Sequence, residues 1–95
     1  MDTAEMTDMT DKKCFRLSSL PLRKQGIVAS IKAEGFLRGR LLDLGFVPGT
    51  VVEPIRRSPL GDPTAYRIRE TVIALLSEEG DKILVTLNKK GAMMP

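Results

Sequence analysis

The sequence predicts a mostly β fold: a small, strongly bent antiparallel barrel of about five strands, with one short α-helix inserted and a short helical turn before the last strand. Three observations predict it. Short runs rich in β-branched residues recur along the chain, as GIVASI, TVVEPI and ILVTL. Glycine and proline punctuate the intervals between them. A single stretch, Phe36 to Thr50 (FLRGRLLDLGFVPGT), reads as an amphipathic helix followed by its stop signal and a tight turn.

Taken in order, residues 1–13 read as a disordered acidic tail, because polar and acidic residues dominate and methionines are the only large apolar side chains before Cys14. The folded domain spans 14–88, and 89–95 reads as a flexible C-terminal tail. Cys14 to Leu17 opens the first strand, ahead of a turn at Ser18 to Pro21. Gly26 to Ile31 alternates and forms the second. In the helix, Leu37, Leu41 and Leu44 recur at i, i+4 and i+7 and share its inner face. Gly45 ends it, since glycine takes the left-handed conformation past a helix end without steric cost. Pro48-Gly49 fits the central positions of a type II turn. Thr50 to Ile55 follows as a strand that Pro54 marks as an edge or a bulge, with Pro54 and Glu53 blunting any self-association along it. After the SPLGDP loop, Tyr66 to Arg69 and Val72 to Leu76 pair across a turn at Glu70-Thr71. Ser77 caps a helical turn ending near Gly80, and Ile83 to Leu87 is the last strand.

Composition narrows the function. The 95 residues make one small domain with no apolar run near the ~18 residues of a membrane span. The N-terminus lacks the basic flank and apolar core of a signal peptide, so the chain is expected in the cytoplasm. A single cysteine excludes an internal disulfide. The net charge of +3 conceals an asymmetry, because residues 1–11 carry four acidic side chains and no basic one, leaving +3 less −4, or +7, on the remainder. A basic body suits an acidic protein surface, phosphates or anionic headgroups. Scattered solubilising charge is the reading that the sequence spread supports, since no run of three basic residues occurs.

Catalysis is the weakest reading. There is no histidine, so the commonest general base and metal ligand is missing. Cys14 has no histidine to form its thiolate and reads as a small buried hydrophobe. Asp43, Glu53, Asp62 and Glu70 show no paired spacing. Asp43, near the helix C-terminus where an anion is disfavoured, calls for a hydrogen bond to the following turn. No nucleotide-binding glycine pattern is present. Gly39, inside the helix, implies close packing against a neighbour, either the barrel itself or a partner. No catalytic residue, metal ligand or cofactor is assigned.

A binding module remains. Phe36, Leu42, Phe46, Pro59 and Leu60 cannot all face one small core when Leu37, Leu41 and Leu44 already do. Together with Arg38, Arg40, Arg56 and Arg57, those left outside would form an interaction surface. Polyproline recognition is disfavoured, because the chain has no tryptophan and one tyrosine.

LRGRLLDLGFVPGT with SPLGDP, IALL and ILVTL downstream resembles the ferrous iron transport protein A family, over roughly Leu17 to Leu87. The resemblance implies an SH3-like barrel and a cytoplasmic accessory protein of bacterial ferrous iron uptake. Its implied partner is the ferrous iron permease of the same system, ferrous iron transport protein B (FeoB), met at its cytosolic G-protein domain or an adjoining region. This chain would thereby be peripheral to the inner membrane. Partner-binding residues on this reading are Phe36, Arg38, Arg40 and Leu42 on the helix, and Pro59, Leu60 and Asp62 in the loop. Glu70 stands where the family's turn usually has glycine, and Leu76 where an arginine often follows. The alternative is a small basic nucleic-acid-binding module, and a third reading is a regulatory barrel detached from a repressor and acting in trans.

Overall fold

The computed structural model of the chain describes residues 13–87. Its elements are β1 (Phe15–Arg16), a 3-10 turn (Leu17–Ser19), β2 (Gly26–Ile31), α1 (Gly35–Leu44), β3 (Val51–Arg57), β4 (Thr64–Ile68), β5 (Thr71–Leu75), α2 (Ser77–Gly80) and β6 (Ile83–Leu87). All six strands, against about five expected, join one sheet in the order β1-β6-β2-β3-β4-β5, and every pairing is antiparallel. Register shifts between Val28 and Ser30 and between Pro54 and Arg56 mark the irregularities at which such sheets bend. The expected acidic tail lies outside the described residues except for Lys13, as does the C-terminal tail 89–95.

The core draws on both halves of the chain. Leu17, Val28, Leu41, Phe46, Val52, Tyr66, Ile68, Leu75, Ile83 and Val85 are all nearly sealed from solvent. Strand alternation delivers most of them, as in β4, where Thr64, Tyr66 and Ile68 point inward and Arg67 outward. Burial pushes the Tyr66 phenol above its ordinary value, opposed by its hydrogen bond with Thr64. Leu17 leaves the strand expected for it and enters the core from the 3-10 turn.

Of the two places the sequence allowed for Pro54, an edge or a bulge, the structure has the second: the β3-β4 register shifts between Pro54 and Arg56. β3 runs between β2 and β4, and proline is accommodated there by the ladder's alternation. Pro54 faces Tyr66 across β4, while β2 pairs only with Val51 and Val52. The side of β3 where an N–H of residue 54 would point has therefore run out of partner strand, and the Pro54 carbonyl instead accepts the Arg23 N–H at 2.8 Å. The true edges are β1 and β5.

Helix α1 ends as its glycine requires. Gly45 has φ 114°, its N–H donates to the Leu42 carbonyl at 3.0 Å, and the Phe46 N–H donates to the Leu41 carbonyl at 3.1 Å. These two bonds define a Schellman motif, whose usual apolar contact is supplied by Leu41 and Phe46, both in the core. The N–H groups of Gly45, Phe46 and Val47 are all spent on backbone carbonyls, and Asp43 is exposed and makes no hydrogen bond to the turn, contrary to expectation. Thr50 N–H to Val47 carbonyl, 3.0 Å, closes the Pro48-Gly49 turn, with Gly49 at φ 96°.

Candidate functional site

The helix lays Leu41 into the core and sets Leu37, Leu42 and Leu44 half-buried against it. Its outward residues are Phe36, Arg38, Gly39, Arg40 and Asp43. Phe36 is 87% exposed, a large aromatic surface with no intramolecular cover. Gly39 does not pack closely on the barrel: a Cβ built there meets nothing within 4 Å, so of the two neighbours the sequence allowed the barrel is not the one.

Neither of the two helix arginines projects unengaged. Arg38 donates through Nη1 to the Ile31 carbonyl at 3.1 Å, fastening the first turn of α1 to the end of β2. Arg40 pairs with Glu79 at 2.5 Å, reaching from α1 to α2. The Leu76 N–H donates to the same Glu79 carboxylate at 2.9 Å. That backbone hydrogen bond, aided by Arg40, holds the Glu79 carboxyl below the usual glutamate range.

The loop between β3 and β4 is a self-bonded turn. Gly61 N–H donates to the Ser58 carbonyl at 2.7 Å, and Ser58 N–H to the Pro63 carbonyl at 3.0 Å. Pro59 and Leu60 therefore occupy the tip, and Leu60 is 93% exposed. Asp62 faces inward to α2, where its carboxylate accepts the Ser77 N–H at 2.7 Å and the Ser77 hydroxyl at 3.3 Å.

Ser77 is thus not the cap that the sequence suggested. Leu76 holds that position in extended conformation, and a carboxylate from the neighbouring loop satisfies the first turn instead. The short helix α2 consequently braces two distant segments, bonded through Glu79 to Arg40 of α1 and through Ser77 to Asp62 of the loop. A further bond from the Ser18 hydroxyl to Asp81 ties its C-terminal end to the 3-10 turn. Gly80 fits there because a Cβ would approach Ser18 backbone nitrogen to 3.3 Å.

Of the seven sequence-assigned residues, Phe36, Pro59 and Leu60 are exposed and apolar, Leu42 is half-buried against the core, and Arg38, Arg40 and Asp62 are held by intramolecular bonds. Phe46, set beside them as a candidate for exposure, is fully buried. Cys14, expected inside, is exposed. Sequence reasoning missed the bracing role of Ser77 and Glu79. The available signal was the SEEG tetrapeptide, whose glutamate lies three residues beyond Leu76, as in a capping arrangement.

Residues 15–87 match the FeoA domain family. The chain belongs to the FeoA family. It is 35% identical over 78 residues to the Fe(2+) transport protein A/Fe(2+) transporter FeoB fusion protein of Porphyromonas gingivalis, a match covering 82% of this chain and 9% of that protein. FeoA of Chlorobium tepidum superposes with a TM-score of 0.73 at 32% identity, covering 78% of this chain and 70% of that one. FeoA of Stenotrophomonas maltophilia, solved with zinc and characterised as a prokaryotic SH3 domain protein, gives 0.67 at 32% identity over 75% of this chain and 88% of that one.

The SH3-like fold expected from the helix phrase and the loop is therefore the fold of this FeoA chain, and FeoA is a family of ferrous iron transport. Among the described residues, no three His, Cys, Asp or Glu side chains are grouped to hold a metal ion. Nor is any helix among them long and apolar enough to cross a membrane.

Glu70 lies in the two-residue β4-β5 turn without strain at that residue. The positive φ of the two-residue β4-β5 turn falls on Arg69, at 58°, and not on Glu70. Leu76 is 48% exposed beside α2.

Proposed function

We propose that this FeoA chain is a cytoplasmic accessory protein of ferrous iron uptake. It docks through the Phe36 and Leu60 surfaces onto the cytosolic part of a FeoB-type ferrous iron permease, and reaches the inner membrane through that partner. The observation that carries the proposal is the pairing of two very exposed apolar side chains, Phe36 and Leu60, on segments that α2 braces from Arg40 and Asp62. Holding both segments rigidly in the free protein lowers the ordering cost of association, and apolar anchors of this kind supply most of the energy of small interfaces. The FeoA/FeoB fusion of Porphyromonas gingivalis, in which both functions occupy one polypeptide, supports the choice of partner.

The arginines act within the chain. Arg38 and Arg40 set the pose of α1, so substituting either one weakens docking by loosening the helix and leaves the partner's nucleotide chemistry without a missing group. The test is calorimetric titration into the isolated cytosolic G-protein domain of the permease. Saturable binding that falls at least about tenfold with Leu60→Asp, and likewise with Phe36→Asp, is the expected result. Retention of full affinity by both variants, or steeply salt-dependent binding to RNA with no heat from the G-domain, would refute it.

A further inference from the structure

The sheet carries a concavity of about 280 Å³ that the proposed docking leaves unused, lined by Gln25, Thr50, Val51, Glu53, Arg67 and Arg69. Arg67 and Arg69 are both exposed, and neither makes a hydrogen bond or ion pair among the described residues. This separates them from Arg38, Arg40 and Arg57, which are spent on Ile31, Glu79 and Thr64. Arg69 is moreover held at φ 58°, a turn position that glycine or asparagine would take with less strain. The one acid of the lining, Glu53, accepts the Gln25 amide at 3.5 Å and stands opposite Arg67 in the ladder. Two arginines less one glutamate leave the lining at +1, with two guanidiniums open to carboxylates, which they receive as bidentate pairs.

Strand register brings the start of the chain to the level of this pocket. Leu87, Gly26, Val52 and Ile68 form one row across β6, β2, β3 and β4, and Glu53 and Arg67 stand on the next row. Phe15 stands opposite Val85. Counted back from there, Lys13 falls on the row of Leu87 and residue 12 on the row of Glu53 and Arg67. β1 is four strand intervals from β4, about 19 Å along the sheet. Eleven residues reach up to about 36 Å extended and about 18 Å root-mean-square as a flexible chain, so residues 1–11 are long enough to cover the pocket.

We infer that the Arg67 and Arg69 pocket is an acidic-peptide site, and that its occupant in the free protein is this chain's own segment 2–11. That segment, DTAEMTDMTD, holds Asp2, Glu5, Asp8 and Asp11 and no basic side chain. Met6 and Met9 interleave with the acids, and the exposed Val51 gives the pocket an apolar contact for one of them. A concave lining focuses the field of its guanidiniums, which distinguishes this site from the single exposed lysines and arginines elsewhere on the body. Tethering selects the occupant. A short flexible link keeps the segment at a local concentration on the order of millimolar, which a free acidic peptide or phosphate ion at lower concentration does not match. While seated, the segment withholds two guanidiniums of the +7 body from acidic partners, and so acts as an internal competitor for them.

The test is paramagnetic broadening in the full chain, with a nitroxide on Thr7→Cys in a Cys14→Ser background. The expected outcome at low salt is broadening centred on the amides of Gln25, Thr50, Val51, Glu53, Arg67 and Arg69, unchanged on dilution. It fades between about 0.01 M and about 1 M salt, as the screening length shrinks from about 30 Å to about 3 Å. Arg67→Gln with Arg69→Asn, the second chosen because asparagine tolerates the left-handed turn, reduces it at least about fivefold while the amide spectrum stays that of the folded barrel. Replacing the four acids by Asp2→Asn, Glu5→Gln, Asp8→Asn and Asp11→Asn does the same. Broadening spread evenly over the surface, centred on other basic residues, insensitive to both sets of substitutions, or lost on dilution, as contact between separate molecules would be, overturns the inference. No permease is present in this measurement, and Phe36 and Leu60 are untouched, so the proposed docking stands or falls separately.

Discussion

Gly39 stands in the middle of α1 with open space where its side chain would be, although glycine inside a helix is less favourable than alanine by about 1 kcal/mol. Nothing in the barrel requires it. Gly39→Ala is expected to raise stability by about 1 kcal/mol, seen as a rise of about 4–8 °C in midpoint by calorimetry. Gly39 shares the outward surface of α1 with Phe36, so close approach of a partner there predicts weaker docking from the same stabilising change. Among the described residues, Glu79 is a carboxylate whose folded setting favours its charged form. Its folded-state pKa is depressed by the Leu76 N–H and then by Arg40, so its contribution is present above the usual glutamate pKa of 4.5 and is lost as pH falls below it. Glu79→Gln is predicted to flatten the decline in urea midpoint between about pH 6 and pH 3, leaving the alkaline side unchanged. Arg40 is 42% exposed, so solvent screening keeps the ion-pair share of this effect small.

At the scale of elements, α1 is set by its end more than by its length. Leu41 is the one α1 residue fully enclosed, and the Schellman bonds from Gly45 and Phe46 carry the chain from its last turn directly into the core. Phe46→Ala is expected to remove about 3–5 kcal/mol, a large share of what a domain of this size possesses. Chemical denaturation should show a broad transition or none, and the exposed Phe36 surface should lose its fixed pose with it. The element that sequence reading undervalued is α2. Four residues long, it looks like a connector, yet its backbone and carboxylate bind Asp62 from 15 positions earlier and Arg40 from 39 positions earlier.

For the whole molecule, charge and sheet order decide how partners meet it. The body beyond residue 11 carries +7, which favours encounter with an acidic surface and predicts that docking on a partner weakens with salt. Sheet order also explains why Pro54 and Glu53 do not serve as edge guards: β3 is enclosed by β2 and β4, and the edges belong to β1 and β5.

Local patterns were enough to delimit β2, β6 and nearly all of α1, because period-2 alternation, a 3.6-residue repeat and a left-handed glycine are properties of adjacent residues. The same locality made Pro59 and Leu60 legible at a loop tip, since a proline and a glycine within four residues specify a turn by their own dihedrals. What only the tertiary structure decided was which apolar residues the core had room for and which polar groups would meet. Leu17 and Phe46 were enclosed while Phe36 and Leu60 stayed outside, and Arg38, Arg40 and Asp62 found Ile31, Glu79 and Ser77. The reason is physical. Burial and hydrogen bonding between segments depend on where a bent sheet brings residues far apart in the chain, and no periodicity in a single stretch encodes that meeting.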